Sequence, residues 1–207
     1  MSDFDLKASD WDKNPNNISR TKAVAATMIQ QIQLNKEMKA LEYGAGTALL
    51  SFALKENLGE ITLMDNSTEM TRISNEKINY SELTDMKALF FDLEHEHHHE
   101  KYDIIYSQMV MHHIENVDAM LYIFYQLLHP LGYIAIADLY PEDGSFHGEG
   151  FNGHLGFDLN EFIMKLKIIG FANIKHENCY TIILSRWRGD SCAAPPTHCR
   201  FFNLQIR

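Results

Sequence analysis

At 207 residues, with 45% hydrophobic and 22% charged positions, the chain has the composition of one ordinary globular domain and the length to bury a sizeable core. No apolar run approaches the roughly 20 residues of a membrane span, and the charge-alternating residues 1–10 lack the apolar stretch of a signal peptide. A net charge of −10 disfavours a broad nucleic-acid footprint, and Cys179, Cys192 and Cys199 fit neither a disulfide framework nor a four-ligand zinc site, which points to a reducing cytoplasm.

Residues 1–17 form a polar lead that ends in Asn14-Pro15-Asn16-Asn17, a turn signal. Trp11 is the large apolar residue of its second half, and two roles are open to it: an anchor against the body or a lid over a ligand. Residues 18–34 read as a helix, with Ala23, Val24, Ala26, Thr27, Ile29 and Ile32 on one side and Ser19 or Asn17 as cap. Residues 39–43 suit a short buried parallel strand, broken by Gly44-Ala45-Gly46. Helical spacing returns over residues 47–57 through Leu49, Leu50, Ala53 and Leu54, and Gly59 stops it. Residues 61–64 form a second strand that ends on Asp65.

This strand–glycine–helix–strand–acid unit is the geometry of a nucleotide-type cofactor site. Glycines let the backbone approach a ligand, and a carboxylate about 20 residues on can accept hydrogen bonds from ribose hydroxyls. The third glycine of a dinucleotide fingerprint would fall at position 49, where Leu49 stands, which argues against a packed pyrophosphate and a nicotinamide-dependent oxidoreductase.

Residues 66–80 read as a helix capped at Ser67, with Met70 either in the core or beside a ligand ring. Residues 86–93 form a third strand, which brings Asp92 to the carboxyl edge of the sheet. The run Glu94-His95-Glu96-His97-His98-His99-Glu100 reads as a solvated loop, and no metal site is assigned. Residues 102–107 are the fourth strand, followed by Gln-Met-Val-Met-His-His-Ile at 108–114. Residues 116–129 form a helix, Pro130-Leu131-Gly132 turns the chain, and residues 132–139 form a fifth, central strand with Asp138 at its end. The loop at 141–156 carries five of the chain's eleven glycines and offers Phe146, His147, Phe151 and His154, next to Tyr140, as substrate-pocket candidates. A helix over 157–170 and a strand over 174–184 follow. Residues 185–196 have loop composition, and the Arg188-Gly189-Asp190 triplet is given no role. Residues 201–207 alternate as a last antiparallel strand or as a tail.

Two blocks carry a family resemblance. Glu42-Tyr43-Gly44-Ala45-Gly46-Thr47-Ala48 resembles motif I of class I S-adenosylmethionine-dependent methyltransferases, with Ala48 in place of the last glycine. Met111-His112-His113-Ile114, then the helix ending in Leu127-Leu128-His129-Pro130-Leu131-Gly132 and an apolar strand, resembles the fourth-to-fifth-strand region of the same superfamily, with Leu131 in place of a glycine. Ser9-Asp10-Trp11-Asp12 with Pro15 is similar to its N-terminal lid. The resemblance implies an α/β, Rossmann-like class I methyltransferase fold with a mostly parallel seven-stranded sheet and helices on both faces. It implies one domain over 1–185, including a lid at 1–17, and leaves 186–207 atypical.

The implied cofactor is S-adenosyl-L-methionine. Glu42, Gly44, Ala45, Gly46 and Thr47 would hold its methionine portion from motif I, with Ser107 and Gln108 at the edge of the fourth strand. Asp65 and Asn66 would hold the ribose. Met70, Asp92 and Leu93 would meet the adenine, and Trp11 would cover it. The sulfonium is already an activated leaving group, so positioning and water exclusion dominate. A hydroxyl or amine acceptor needs a base, for which His112 and His113 stand nearest; both are also explained by packing and backbone bonding. Tyr140, Phe146 and His147 are the substrate-side candidates. The implied activity is methyl transfer to a small molecule; a non-catalytic binder of S-adenosylmethionine or S-adenosylhomocysteine with the same fold is the alternative.

Overall fold

Short apolar strands alternate with amphipathic helices, and the strands assemble into one sheet. The computed structural model describes residues 2–147, 150–182 and 197–206. Its strands are β1 (Ala40–Tyr43), β2 (Ile61–Asp65), β3 (Met86–Phe90), β4 (Tyr102–Gln108), β5 (Leu128–Leu139), β6 (Phe171–Ile182) and β7 (Thr197–Ile206). They lie in the order β3-β2-β1-β4-β5-β7-β6. Strands β1 to β5 pair in parallel, and β7 is antiparallel to both of its neighbours, β5 and β6. The helices are α1 (Asp3–Lys7), α2 (Pro15–Gln31), α3 (Leu49–Leu54), α4 (Thr68–Tyr80), α5 (Val117–Leu127) and α6 (Leu159–Ile169).

Both faces of the sheet are covered, which is why its central strands read as unbroken apolar runs. Leu41, Tyr43, Ile105, Ile134 and Ile136 face α5 and α6, where Phe124, Phe162 and Leu166 are buried. The alternate positions Ala40, Ile104, Tyr106, Ala135 and Ala137 face the other layer, with Val24 and Met28 of α2, Leu50 and Leu54 of α3 and Ile78 of α4. Strand order reverses between β1 and β4. The loops leaving their carboxyl ends therefore diverge and open a crevice, the usual ligand site of such sheets.

Several elements differ from the sequence reading. The first long helix begins at Pro15, not at residue 18, because Asn14 caps it by accepting from the Asn16 N–H and Pro15 fits the first turn. The helix expected over 47–57 is only the six residues of α3, since Ala48 sits at φ 66 in the left-handed region. That conformation costs an L-residue roughly 1–2 kcal/mol; the fully buried Ala48 methyl offsets about 0.8 kcal/mol of it. Leu131, also in place of an expected glycine, is left-handed at φ 67. Strand β3 ends at Phe90, so Asp92 and Leu93 lie beyond it. Strand β5 starts at Leu128 through a register shift opposite Tyr102 and Ile104. The last strand spans Thr197–Ile206, longer than 201–207 at its start. Arg188-Gly189-Asp190, Cys192 and the rest of 183–196 lie outside the described residues.

Candidate active site

The crevice holds a cavity of about 280 Å³. Gly44 and Gly46 come to it from the loop after β1, Asp65 and Asn66 from the end of β2, and Met70 from α4. Gln108, Val110, His113 and Ile114 come from the end of β4 and the turn beyond it, and Ser2, Phe4 and Trp11 close it from the N-terminal lead. Gly44 (φ 68) and Gly46 (φ 55) are both left-handed. A Cβ at Gly44 would lie 2.3 Å from the Val110 side chain, whereas a Cβ at Gly46 would meet Trp11 Nε1 and Met70 Sδ at 3.8 Å each. Trp11 and Met70 are cavity walls, so the hydrogen at Gly46 leaves the room between them free for a ligand.

Asp65 is the hub of the wall. Its Oδ2 accepts from the Gly46 N–H at 2.7 Å and its Oδ1 from the Ser67 N–H at 2.8 Å. Burial raises its pKa, against the two N–H donors. Each oxygen keeps further acceptor capacity. Gln108 donates through Nε2 to Thr21 Oγ1 at 3.0 Å, and its Oε1 is buried without a partner, as is Ser107 Oγ. Asp92 reaches two cavity residues, accepting from Tyr43 OH at 3.4 Å and Asn66 Nδ2 at 3.3 Å.

Other expected cofactor residues stand behind the wall. Glu42 is buried and accepts from the Ser51 N–H at 3.1 Å and from the Ser51 hydroxyl. Ala45, Thr47, Leu93 and Ser107 are buried, and none of them lines the cavity. Met70 is buried in α4 and also borders the cavity, a position consistent with either of the two roles open to it.

The N-terminal lead is strapped over the opening by Asp5, which has no local sequence signal, and by Asp12 of the lid-like Ser9-Asp10-Trp11-Asp12 stretch. Ser2 and Asp5 form a capping box on α1. Asp5 Oδ1 then accepts from Ser67 Oγ at 2.6 Å and the Glu69 N–H at 3.2 Å. Asp12, in the 3-10 segment Ala8–Lys13, accepts from the Thr47 hydroxyl and pairs with Lys77 Nζ at 2.9 Å. These contacts set Trp11 over Gly46 and bring Phe4 edge-on to His113, 5.2 Å between centroids. The Ser67 hydroxyl, then the Ser2 and Glu69 N–H groups, hold the Asp5 carboxyl far below its ordinary value. A depressed carboxyl contributes above its unfolded pKa and is lost as pH falls through the folded one, so the Asp5 contacts are complete at neutral pH and weaken only in acid. Asp5→Ala is expected to speed amide exchange across residues 2–13 while α5 and β4 stay protected, as hydrogen-exchange mass spectrometry would show.

Beside the cavity the fold gathers three histidines. His112 is buried, with Nδ1 2.6 Å from Asp138 Oδ1; that oxygen also accepts from the Leu139 N–H at 2.7 Å. Burial alone would raise the Asp138 carboxyl, but the charge and hydrogen bond of His112 hold it low. His113 packs on His112 with centroids 4.1 Å apart, and His147 stands 4.9 Å from His112. His147 stacks on Phe151 at 3.7 Å with ring planes 6° apart. Burial, reinforced by the neighbouring imidazoles, lowers His113 to about 4 and His147 to about 4, so both are neutral at pH 7. Only His113 of the three lines the cavity. Phe146 reaches this group edge-on to His147, and neither it nor Tyr140 borders the cavity. His154 is turned away, its Nε2 3.0 Å from the Ile114 carbonyl.

A doubly covered, mostly parallel sheet with a glycine loop after β1 and a carboxylate at the end of β2 is a Rossmann-like cofactor-binding architecture. The methyltransferase-domain family matches residues 34–149, more than half of the chain, and the chain belongs to that family. No curated protein matches it in sequence. Among solved structures, a chain of the complex between the Trm112 methyltransferase activator and a methyltransferase of Haloferax volcanii is 15% identical, with a TM-score of 0.76 and 100% of this chain and 98% of that one covered. An S-adenosylmethionine-dependent methyltransferase from Aquifex aeolicus is 19% identical, with a TM-score of 0.67 and 97% and 98% covered. The N-methyltransferase NodS from Bradyrhizobium japonicum, in complex with S-adenosylhomocysteine, is 14% identical, with a TM-score of 0.68 and 94% and 89% covered. At these identities the likeness is one of fold. Among the described residues no helix is long and apolar enough to cross a membrane.

Proposed function

We propose that this chain transfers a methyl group from S-adenosylmethionine to a small-molecule acceptor that docks between the cavity and the loop at 141–156. The observation that carries the reading is the Asp65 carboxylate, bonded to the Gly46 N–H on the wall of a cavity at the point where strand order reverses. The residues suit the cofactor chemically. Asp65 has acceptor capacity for a ribose diol, the unpartnered Gln108 Oε1 suits an ammonium donor, and Met70 with Trp11 offers soft apolar surface to an adenine ring. When bound, the cofactor supplies a methyl group on a sulfonium, an activated electrophile. The chain then has to orient the acceptor and keep water out. Phe4 and Trp11 do the second, held down by Asp5 and Asp12. Neutral His113, facing the cavity, presents a ring to the acceptor side. Glu42 braces the glycine loop from behind through Ser51, and Thr47 does so by tying it to the lid.

Incubation with S-adenosylmethionine carrying a deuterated methyl group and a fractionated small-molecule extract tests the reading. The expected result is a product heavier by the labelled methyl, formed together with S-adenosylhomocysteine. Cofactor binding with no labelled product from any fraction would favour the non-catalytic binder of the same fold.

A further inference from the structure

We infer that His112, His113 and His147 hold a zinc-type divalent metal ion at the edge of the cavity, with one coordination position left for the donor atom of the methyl acceptor. The three rings come from a 3-10 turn, Met111–His113, and from a loop 34 positions further on. One ligand nitrogen from each lies within 4.8 Å of the other two. Tetrahedral zinc, with nitrogens at 2.0–2.1 Å, sets neighbouring nitrogens roughly 3.4 Å apart. Bringing nitrogens that lie within 4.8 Å of one another to that spacing takes a change of about 1.5 Å at most in any pair.

Two further observations point to a ligand. His112 Nδ1 is committed to the buried Asp138 carboxylate at 2.6 Å, which leaves Nε2 as its metal-binding atom. This carboxylate–imidazole arrangement orients metal-ligating histidines and raises their basicity. His147 Nδ1 is buried with no hydrogen-bond partner, on a ring stacked against Phe151. An unpaired buried imidazole nitrogen is unfavourable, and coordination resolves it. Three imidazoles with no carboxylate in the set suit zinc, iron, nickel or copper rather than magnesium or calcium. Three protein ligands and one open position are the pattern of a catalytic rather than a structural zinc site.

Because His113 is a cavity wall, the open position borders the space where the acceptor has to sit. The acceptor class that uses it is a hydroxyl or thiol compound. On coordination its O–H or S–H bond breaks, the bonding pair stays on oxygen or sulfur and is shared with the metal, and the proton passes to water. This role rests on the methyl-transfer reading, whereas the binding of the ion does not.

Cobalt(II) titration followed by visible absorption tests the site. It is made on the full chain carrying His95→Ala, His97→Ala and His99→Ala, which removes the exposed histidines of the 94–100 loop as competing ligands. The expected result is one equivalent of cobalt with the intense bands of a tetrahedral site. Adding His147→Ala, a loop change away from the core, should abolish those bands, and Asp138→Asn should weaken binding about 10–100-fold. Absence of the bands from the loop-histidine variant, or bands indifferent to His147→Ala, would overturn the proposal. S-adenosylhomocysteine binding, measured on the same samples, separates the two readings. Its survival without a cobalt site rejects the metal alone, and a cobalt site without it rejects methyl transfer alone.

Discussion

Asp65→Ala should weaken S-adenosylmethionine binding by about 1–3 kcal/mol, the range for hydrogen bonds to a charged group and for buried donors left unpaired. The variant loses more than a ligand contact. Asp65 also receives the Gly46 and Ser67 N–H groups, so alanine releases the glycine loop and the first turn of α4 together. Gly46→Ala provides the complementary change. Its methyl would point between Trp11 and Met70 at ordinary contact distance, 3.8 Å, so the packing of the unliganded protein tolerates it. The left-handed backbone at Gly46 costs roughly 1–2 kcal/mol of stability for an L-residue, and the methyl takes up room the cofactor needs. Folded Gly46→Ala with cofactor affinity at least about tenfold lower, measured by calorimetry, is the expected outcome. Wild-type affinity in both variants would place the ligand elsewhere.

The second large effect is a stability that falls with rising pH. Burial pushes the Glu42 carboxyl from 4.5 up to about 8, against the Ser51 hydrogen bonds that favour the ionised form. The native state therefore keeps a proton on Glu42 that the unfolded chain has lost above about pH 4.5. The sign follows from linkage. Where the native state binds more protons than the unfolded one, stability decreases as pH rises, here by up to about 1.4 kcal/mol per pH unit. Urea unfolding at pH 5 and pH 8 should show the wild type losing on the order of a few kcal/mol from this group. Glu42→Gln, neutral and of similar size, should remove that slope. An identical pH dependence in the two proteins would show Glu42 ionised in the fold. Because Ser51 Oγ also lies 2.6 Å from Tyr106 OH, the neutral acid joins β1 and α3, the elements on either side of the glycine loop, to β4.

The parts of this molecule that obey local rules were legible in the sequence. Strands β1, β2 and β4 are short apolar runs, and the glycine loop with Asp65 has a spacing that the fold imposes. Element boundaries depart from the local pattern where one residue departs from its type. Ala48 takes a glycine's conformation and shortens α3, Leu131 does the same at the turn before the core of β5, and Pro15 starts α2 three residues before the apolar stripe. Long-range arrangements left no local signal. His112 and His113 were visible as neighbours, but their approach to His147 depends on how the loop after β5 folds back. The bond between His112 and Asp138 joins the turn beyond β4 to the end of β5. Phe4 and Ser2 reach the cavity only because Asp5 docks on α4, a contact 62 residues apart in the chain.

The cavity formed by Gly46, Asp65, Gln108 and Trp11 is proposed to be the site for S-adenosylmethionine. Calorimetric titration of the folded wild-type protein with S-adenosylhomocysteine tests it most directly, because the product binds without turning over. The expected result is one site with a micromolar dissociation constant, equivalent to about 8 kcal/mol, and a negative heat-capacity change from apolar burial under the lid. No heat of binding with either S-adenosylhomocysteine or S-adenosylmethionine, from a protein that unfolds cooperatively, would contradict it.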